Sequence, residues 1–144
     1  MTGDDSHLDA EFHGSQYVEI PDEHWTGTPK EMHKRADALM RKFTVTKNPE
    51  LGDVHFTGKG RSKTLFDKRK PHEFQSVKAI PEIVEQGKVV SSLPDRQNRP
   101  DIIAVHKIEH GLKIGEAKYK AEITVRETKS GTKSVHQFYL HRIT

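Results

Sequence analysis

Four side chains, His55, Lys118, Tyr139 and His141, are of the types that move protons and stabilise charge without a metal ion. Metal-independent RNA cleavage needs three such groups. A base must take the 2′-hydroxyl proton, a cation must stabilise the crowded phosphorane, and an acid must protonate the leaving 5′ oxygen. His55 or His141 has the chemistry of base or acid, and Lys118 and Arg126 that of the stabilising cation. Lys59, Arg61 and Lys63 surround Gly58 and Gly60 in the run VHFTGKGRSKT. There glycine would let the backbone approach a phosphate while the cations supply charge. The run does not have P-loop spacing. Lys120, Thr124 and Gln137 complete a set suited to gripping an RNA backbone, and His106 is a further candidate on a mostly apolar strand.

Each of these residues also has an ordinary reading. His55 reads equally as a half-exposed strand residue, and Lys118 as a solvated strand lysine. Tyr139 can pack on a neighbouring strand, and His141 lies near a terminus, where strands fray. His106 suits a core or edge position, while His110 and His136 read as turn and strand-surface positions. Metal-assisted hydrolysis calls for several carboxylates around Mg²⁺, and the predicted sheet offers only Glu122 on the relevant parity. The chain lacks cysteine, H-E-x-x-H, a nucleophile elbow and a dinucleotide fingerprint. No metal and no cofactor are expected.

The elements that must position these groups are concentrated between Asp101 and Thr144. DIIAVHKI, EAKYKAEITVRE and SVHQFYLHRI read as three successive strands, joined at Gly111–Gly115 and at Lys129-Ser130-Gly131-Thr132. In the middle run Ala117, Tyr119, Ala121, Ile123 and Val125 alternate with Lys118, Lys120, Glu122, Thr124 and Arg126. Strict period-two alternation marks a half-buried strand. Phe138 and Leu140 share the core parity of the last strand, which sets Gln137, Tyr139 and His141 on the other face. Val54 and Phe56 suggest a further short strand at about 53–57. Thr28-Pro29-Lys30-Glu31 is a capping box ahead of an apolar stripe from Met32 to Phe43. Residues 64–87 read as helical, with a kink or a second start at Pro81 and a stop at Gly87. Lys68-Arg69-Lys70 reads as a solvated turn, and 91–100 as a loop. The expected fold is α+β, with two or three helices packed on one face of a four-stranded antiparallel sheet.

Charge divides the chain. Residues 1–50 hold six Lys/Arg and ten Asp/Glu, a net of −4, and residues 51–144 hold eighteen and eleven, a net of +7. With 32% hydrophobic and 31% charged residues, one domain of modest core is expected at 28–144, behind a flexible acidic segment at 1–27 in which a short strand around Tyr17 is allowed. The basic part suits a polyanion partner, most simply RNA. No apolar run is long enough for a membrane span and no signal-peptide pattern opens the chain, so a cytoplasmic protein is expected.

Over residues 44–144 the chain resembles small domains of phage and mobile-element polyvalent proteins, grouped with barnase/colicin-type endoribonucleases of the barnase–EndoU–colicin–RelE fold. The resemblance rests on Gly60-Arg61-Ser62-Lys63 after a short strand, Y-x-A-x-I-x-V at Tyr119–Val125, the Gly131 turn and the closing Tyr139-x-His141. It implies a toxin-like ribonuclease module. Arg61 and Lys63 then match the basic element, Tyr139 and His141 match the terminal strand, and an immunity protein or antitoxin is a partner that the group allows. The alternative is a non-catalytic module of a larger polyvalent protein that uses the same basic face to bind nucleic acid or protein.

Overall fold

Three long strands dominate the computed structural model, which describes residues 16–95 and 99–143. They are β5 (Ile102–Ile114), β6 (Ala117–Thr128) and β7 (Lys133–Arg142), paired antiparallel in chain order. Along β6 every second side chain from Ala117 to Val125 is buried, as the alternation predicts. Opposite partners share a face, so Ile123 meets Ile108 on one side and Phe138 on the other, and all three are fully buried.

The sheet does not stop at four antiparallel strands. It is a mixed, curled, seven-stranded sheet, a half-barrel, which corrects the expected fold. Four short strands extend it: β1 (Tyr17–Ile20), β2 (Val45–Asn48), β3 (Gly52–His55) and β4 (Lys88–Leu93). β1 runs parallel to the second half of β5, with Val18 opposite Leu112, while β4 pairs antiparallel with its first half. On the far side β3 joins β7 in parallel through the single pair His55 and Ser134, and β2 closes the order as a hairpin with β3. The reason for the difference is length. Thirteen residues of β5 offer more edge than one short strand can cover, so two strands share it. Unpaired edge N–H and C=O groups favour such additions.

All the helices serve one face. α1 (Pro29–Met40) starts at the predicted capping box, with Thr28 Oγ1 accepting from the Glu31 N–H at 3.1 Å and Glu31 Oε1 accepting from the Thr28 N–H at 3.0 Å. Its Met32, Ala36 and Met40 are buried. α2 (Gly58–Leu65) occupies the glycine–lysine stretch; Thr57 caps it through the Gly60 N–H. α3 (Pro71–Gln75) passes through a 3-10 turn (Ser76–Ala79) into α4 (Ile80–Gln86), and Pro81 sits in the first turn of that new helix. Phe74, Val77, Ile80, Ile83 and Val84 are fully buried among the inward residues of the sheet. Trp25, in the strap between β1 and α1, joins the same core.

The edge of β7 beyond β3 is closed by a cation. Lys68 follows α2, is buried, and donates from Nζ to the Phe138 carbonyl at 2.6 Å. It is therefore not a solvated turn residue. Its methylenes lie in the core margin while its ammonium satisfies a carbonyl that no strand reaches.

Candidate functional site

The face turned away from the helices carries Lys107, Glu109 and Lys113 of β5, Lys118 to Arg126 at alternate positions of β6, and Gln137, Tyr139 and His141 of β7. At its middle the charges are already matched. Glu122 accepts from His141 Nε2 at 2.9 Å and lies 3.1 Å from Lys107 Nζ, while Lys120 lies 3.6 Å from Glu109. Burial pushes the Glu122 carboxyl up, but the bonds from His141 and Lys107 outweigh it and hold the group below the ordinary glutamate value. This stretch is an ion-pair network, and a polyanion gains little over it.

One end of the face is both cationic and enclosed. There a depression of about 560 Å³ lies between the close of β4, Pro94, Asp95 and Arg99, the first half of β5, the second half of β6, the first half of β7 and α2. Its polar wall includes Lys63, Asp95, Arg99, Thr124, Arg126, His136 and Gln137, with Arg99 3.8 Å from Asp95. His136 is placed by a β-bulge. The register passes from Thr124–Gln137 to Val125–Val135, which leaves His136 as the extra residue. Such a bulge re-aims a side chain and is common beside functional sites. Burial, followed by the charges of Arg126, Lys63, Arg99 and Lys59, pushes the His136 imidazole down to about 4. The ring is therefore neutral at physiological pH, a proton acceptor enclosed by cations. Arg126 is itself pushed down, first by burial and then by Arg99, against the opposing pull of Asp95 and Asp101. An anion in this depression would relieve both effects.

The residues singled out from sequence do not form one cluster. Lys118 and Arg126 are eight residues apart on β6, about 26 Å at ~3.3 Å per residue. Lys118 lies at the far end, 5.6 Å from the centre of the Tyr17 ring. His55 is exposed and shares a face with Ser134 and Arg126 by register. His141 and Lys120 belong to the central network, and Tyr139 stands opposite Glu122 with its phenol pushed up by burial. Arg61 turns toward α1 and pairs with Asp37 at 2.6 Å. His106 is buried on the helix-side parity, with Ser92 Oγ at 2.7 Å and Glu127 Oε1 at 2.8 Å from its ring nitrogens. Lys63, His106, Thr124, Arg126 and Gln137 do meet at the depression, and Lys59 acts on His136 through its charge. The residue that sequence reasoning passed over is His136. A signal was present: Val135 and Phe138 are both buried yet three apart, which an unbroken strand cannot deliver to one face.

A family model described as Large polyvalent protein-associated domain 3 matches residues 27–139. No curated protein and no solved structure matches the chain.

Proposed function

The chain belongs to the large polyvalent protein-associated domain 3 family, and from that premise we propose that its basic depression seats an RNA phosphodiester and cleaves it without a metal. The observation that carries this reading is the neutral imidazole of His136 among Arg126, Lys63 and Arg99. His136 takes the 2′-hydroxyl proton as the 2′ oxygen attacks phosphorus. Arg126, with Arg99 beside it, stabilises the extra negative charge of the phosphorane. The Lys63 ammonium is the donor for the departing 5′ oxygen. The products are a 2′,3′-cyclic phosphate and a free 5′-hydroxyl. Lys59 and His55 extend the contact along the neighbouring edge, while the network at Glu122 keeps the chain off the middle of the sheet.

A second reading, nucleic-acid binding without turnover, is favoured by one observation. The ring of His106, which also lines the depression, is held on both nitrogens by Ser92 and Glu127, so it is not free to turn toward a leaving oxygen. The two readings part in one experiment. Labelled RNA is incubated with the protein in excess EDTA, and the ends of any fragments are analysed. Cyclic phosphate ends, with cleavage lowered about 10²-fold or more in a folded His136→Ala protein, are the expected result. Saturable, salt-sensitive binding with intact RNA supports the second reading. RNA that is neither bound nor cut contradicts both.

A further inference from the structure

A second constellation lies at the opposite end of the molecule, on the helix side of the sheet. His72, in α3, stands between two partners. Its Nε2 is 2.7 Å from Asp22 Oδ2, and its Nδ1 is 2.6 Å from the Tyr119 hydroxyl. With a neutral ring, Nε2–H donates to the carboxylate and Nδ1 accepts the phenolic proton. This is the order carboxylate, imidazole, hydroxyl, in which a base is oriented by one neighbour and poised to deprotonate the other. Asp22 is fixed from behind as well, since its Oδ1 accepts from the His24 N–H at 2.8 Å. The His72 bond and that backbone bond hold the Asp22 carboxyl down at about 2, so it stays an anion able to balance an imidazolium.

The relay faces a space. Tyr119, His72 and Asp22 line a depression of about 430 Å³ together with Lys70 and Arg142. The Arg142 guanidinium lies 5.4 Å from the centre of the Tyr119 ring. His24 at the rim holds φ at 51°, a left-handed conformation uncommon outside glycine and often found where a site fixes its geometry. Asp22 and Arg142 both lie outside the matched segment 27–139, whereas His72 and Tyr119 lie inside it.

We propose that Asp22, His72 and Tyr119 form a nucleophilic relay that transfers the phosphoryl group of a phosphate ester onto the Tyr119 oxygen, with Arg142 and Lys70 holding the phosphate. In the step, the Tyr119 Oη–P bond forms and the ester P–O bond breaks. The phenolic proton passes to His72 Nδ1 and then to the departing alcohol oxygen, so a phosphodiester and the tyrosine yield a phosphotyrosyl diester and an alcohol. Burial outweighs Arg142 and keeps the phenol above its ordinary value, as Asp22 and Glu73 also do. The hydroxyl therefore does not ionise unaided, and the proton must leave as the new bond forms, which is the work of a base at 2.6 Å.

The test uses the whole chain and bis(4-nitrophenyl) phosphate, an activated diester. Release of nitrophenolate is followed alongside intact mass and peptide mapping. The expected result is a burst of about one equivalent with a diester adduct mapped to Tyr119. It should be absent in Tyr119→Phe and slowed about 100-fold or more in His72→Gln, with Asp22→Asn intermediate. Mapping on the unaltered protein decides the matter even if a variant fails to fold. Absence of a Tyr119 adduct overturns the proposal, and so does labelling at an undiminished rate in folded His72→Gln. Probe hydrolysis without that adduct, surviving in Tyr119→Phe, likewise overturns the relay; the probe carries no 2′-hydroxyl, so it does not report on the cleavage proposed at His136.

Discussion

His136 owes its character to its neighbours. A solvated imidazole is half protonated near pH 6.5, but enclosure and four nearby cations bring this one down to about 4. The folded protein thus binds its proton less readily than the unfolded chain does. Between these two values the unfolded state takes up the extra proton, so the associated stability is fully present above pH 6.5 and is lost as pH falls toward 4. Asp22 acts lower on the scale: its carboxyl falls from 3.8 to about 2, so its contribution is present above 3.8 and is lost as pH falls toward 2. Thermal melts at stepped pH should therefore show Tm falling between pH 6.5 and 4 in the native protein. A His136→Gln protein should lose that part of the slope while keeping the steeper fall at lower pH. An unchanged slope in the variant would place the titrating group elsewhere.

The contact between α2 and β7 explains why a glycine occupies a helix that a glycine weakens. At Gly60 a Cβ would run into the Val135 carbonyl oxygen, a backbone atom that cannot swing aside. The close approach brings Lys63, one turn further on, to the wall that holds His136. Alanine normally favours a helix by about 1 kcal/mol over glycine. Here Gly60→Ala should instead destabilise by roughly 1–3 kcal/mol, because overpacking against fixed backbone outweighs propensity. Urea unfolding measures this, and a stabilised variant would contradict the packing. The same elements show what the sequence made legible. The alternation of β6 and the capping box at Thr28 each carry a full local pattern, and both appear as read. β1, β2 and β3 carry four residues each, too few for a period to stand out, and β4 is mostly exposed. Two of these strands join in parallel through pairings distant in sequence, which no local pattern reveals. For the same reason His136 and the Asp22–His72–Tyr119 relay were hidden: one depends on a bulge, the other on three segments meeting across the fold.

At the scale of the whole molecule, curling the sheet separates what its charge total mixes. Glu109 and Glu122 neutralise the middle, and Lys63, Arg99 and Arg126 are left around the depression at one end. No helix among the described residues is long and apolar enough to cross a membrane. The account turns on that end being a seat for phosphate. The most direct measurement is the titration of His136 by nuclear magnetic resonance, alone and saturated with a 2′-deoxy oligonucleotide, which supplies the phosphates but no attacking hydroxyl. The free protein should titrate at about 4 at this ring. With the oligonucleotide bound, the phosphate charge offsets Arg126 and Lys63, and the value should climb back toward the ordinary 6.5. A His136 titration that stays in place while the oligonucleotide binds would contradict a phosphate seat at this position, and the proposed cleavage with it.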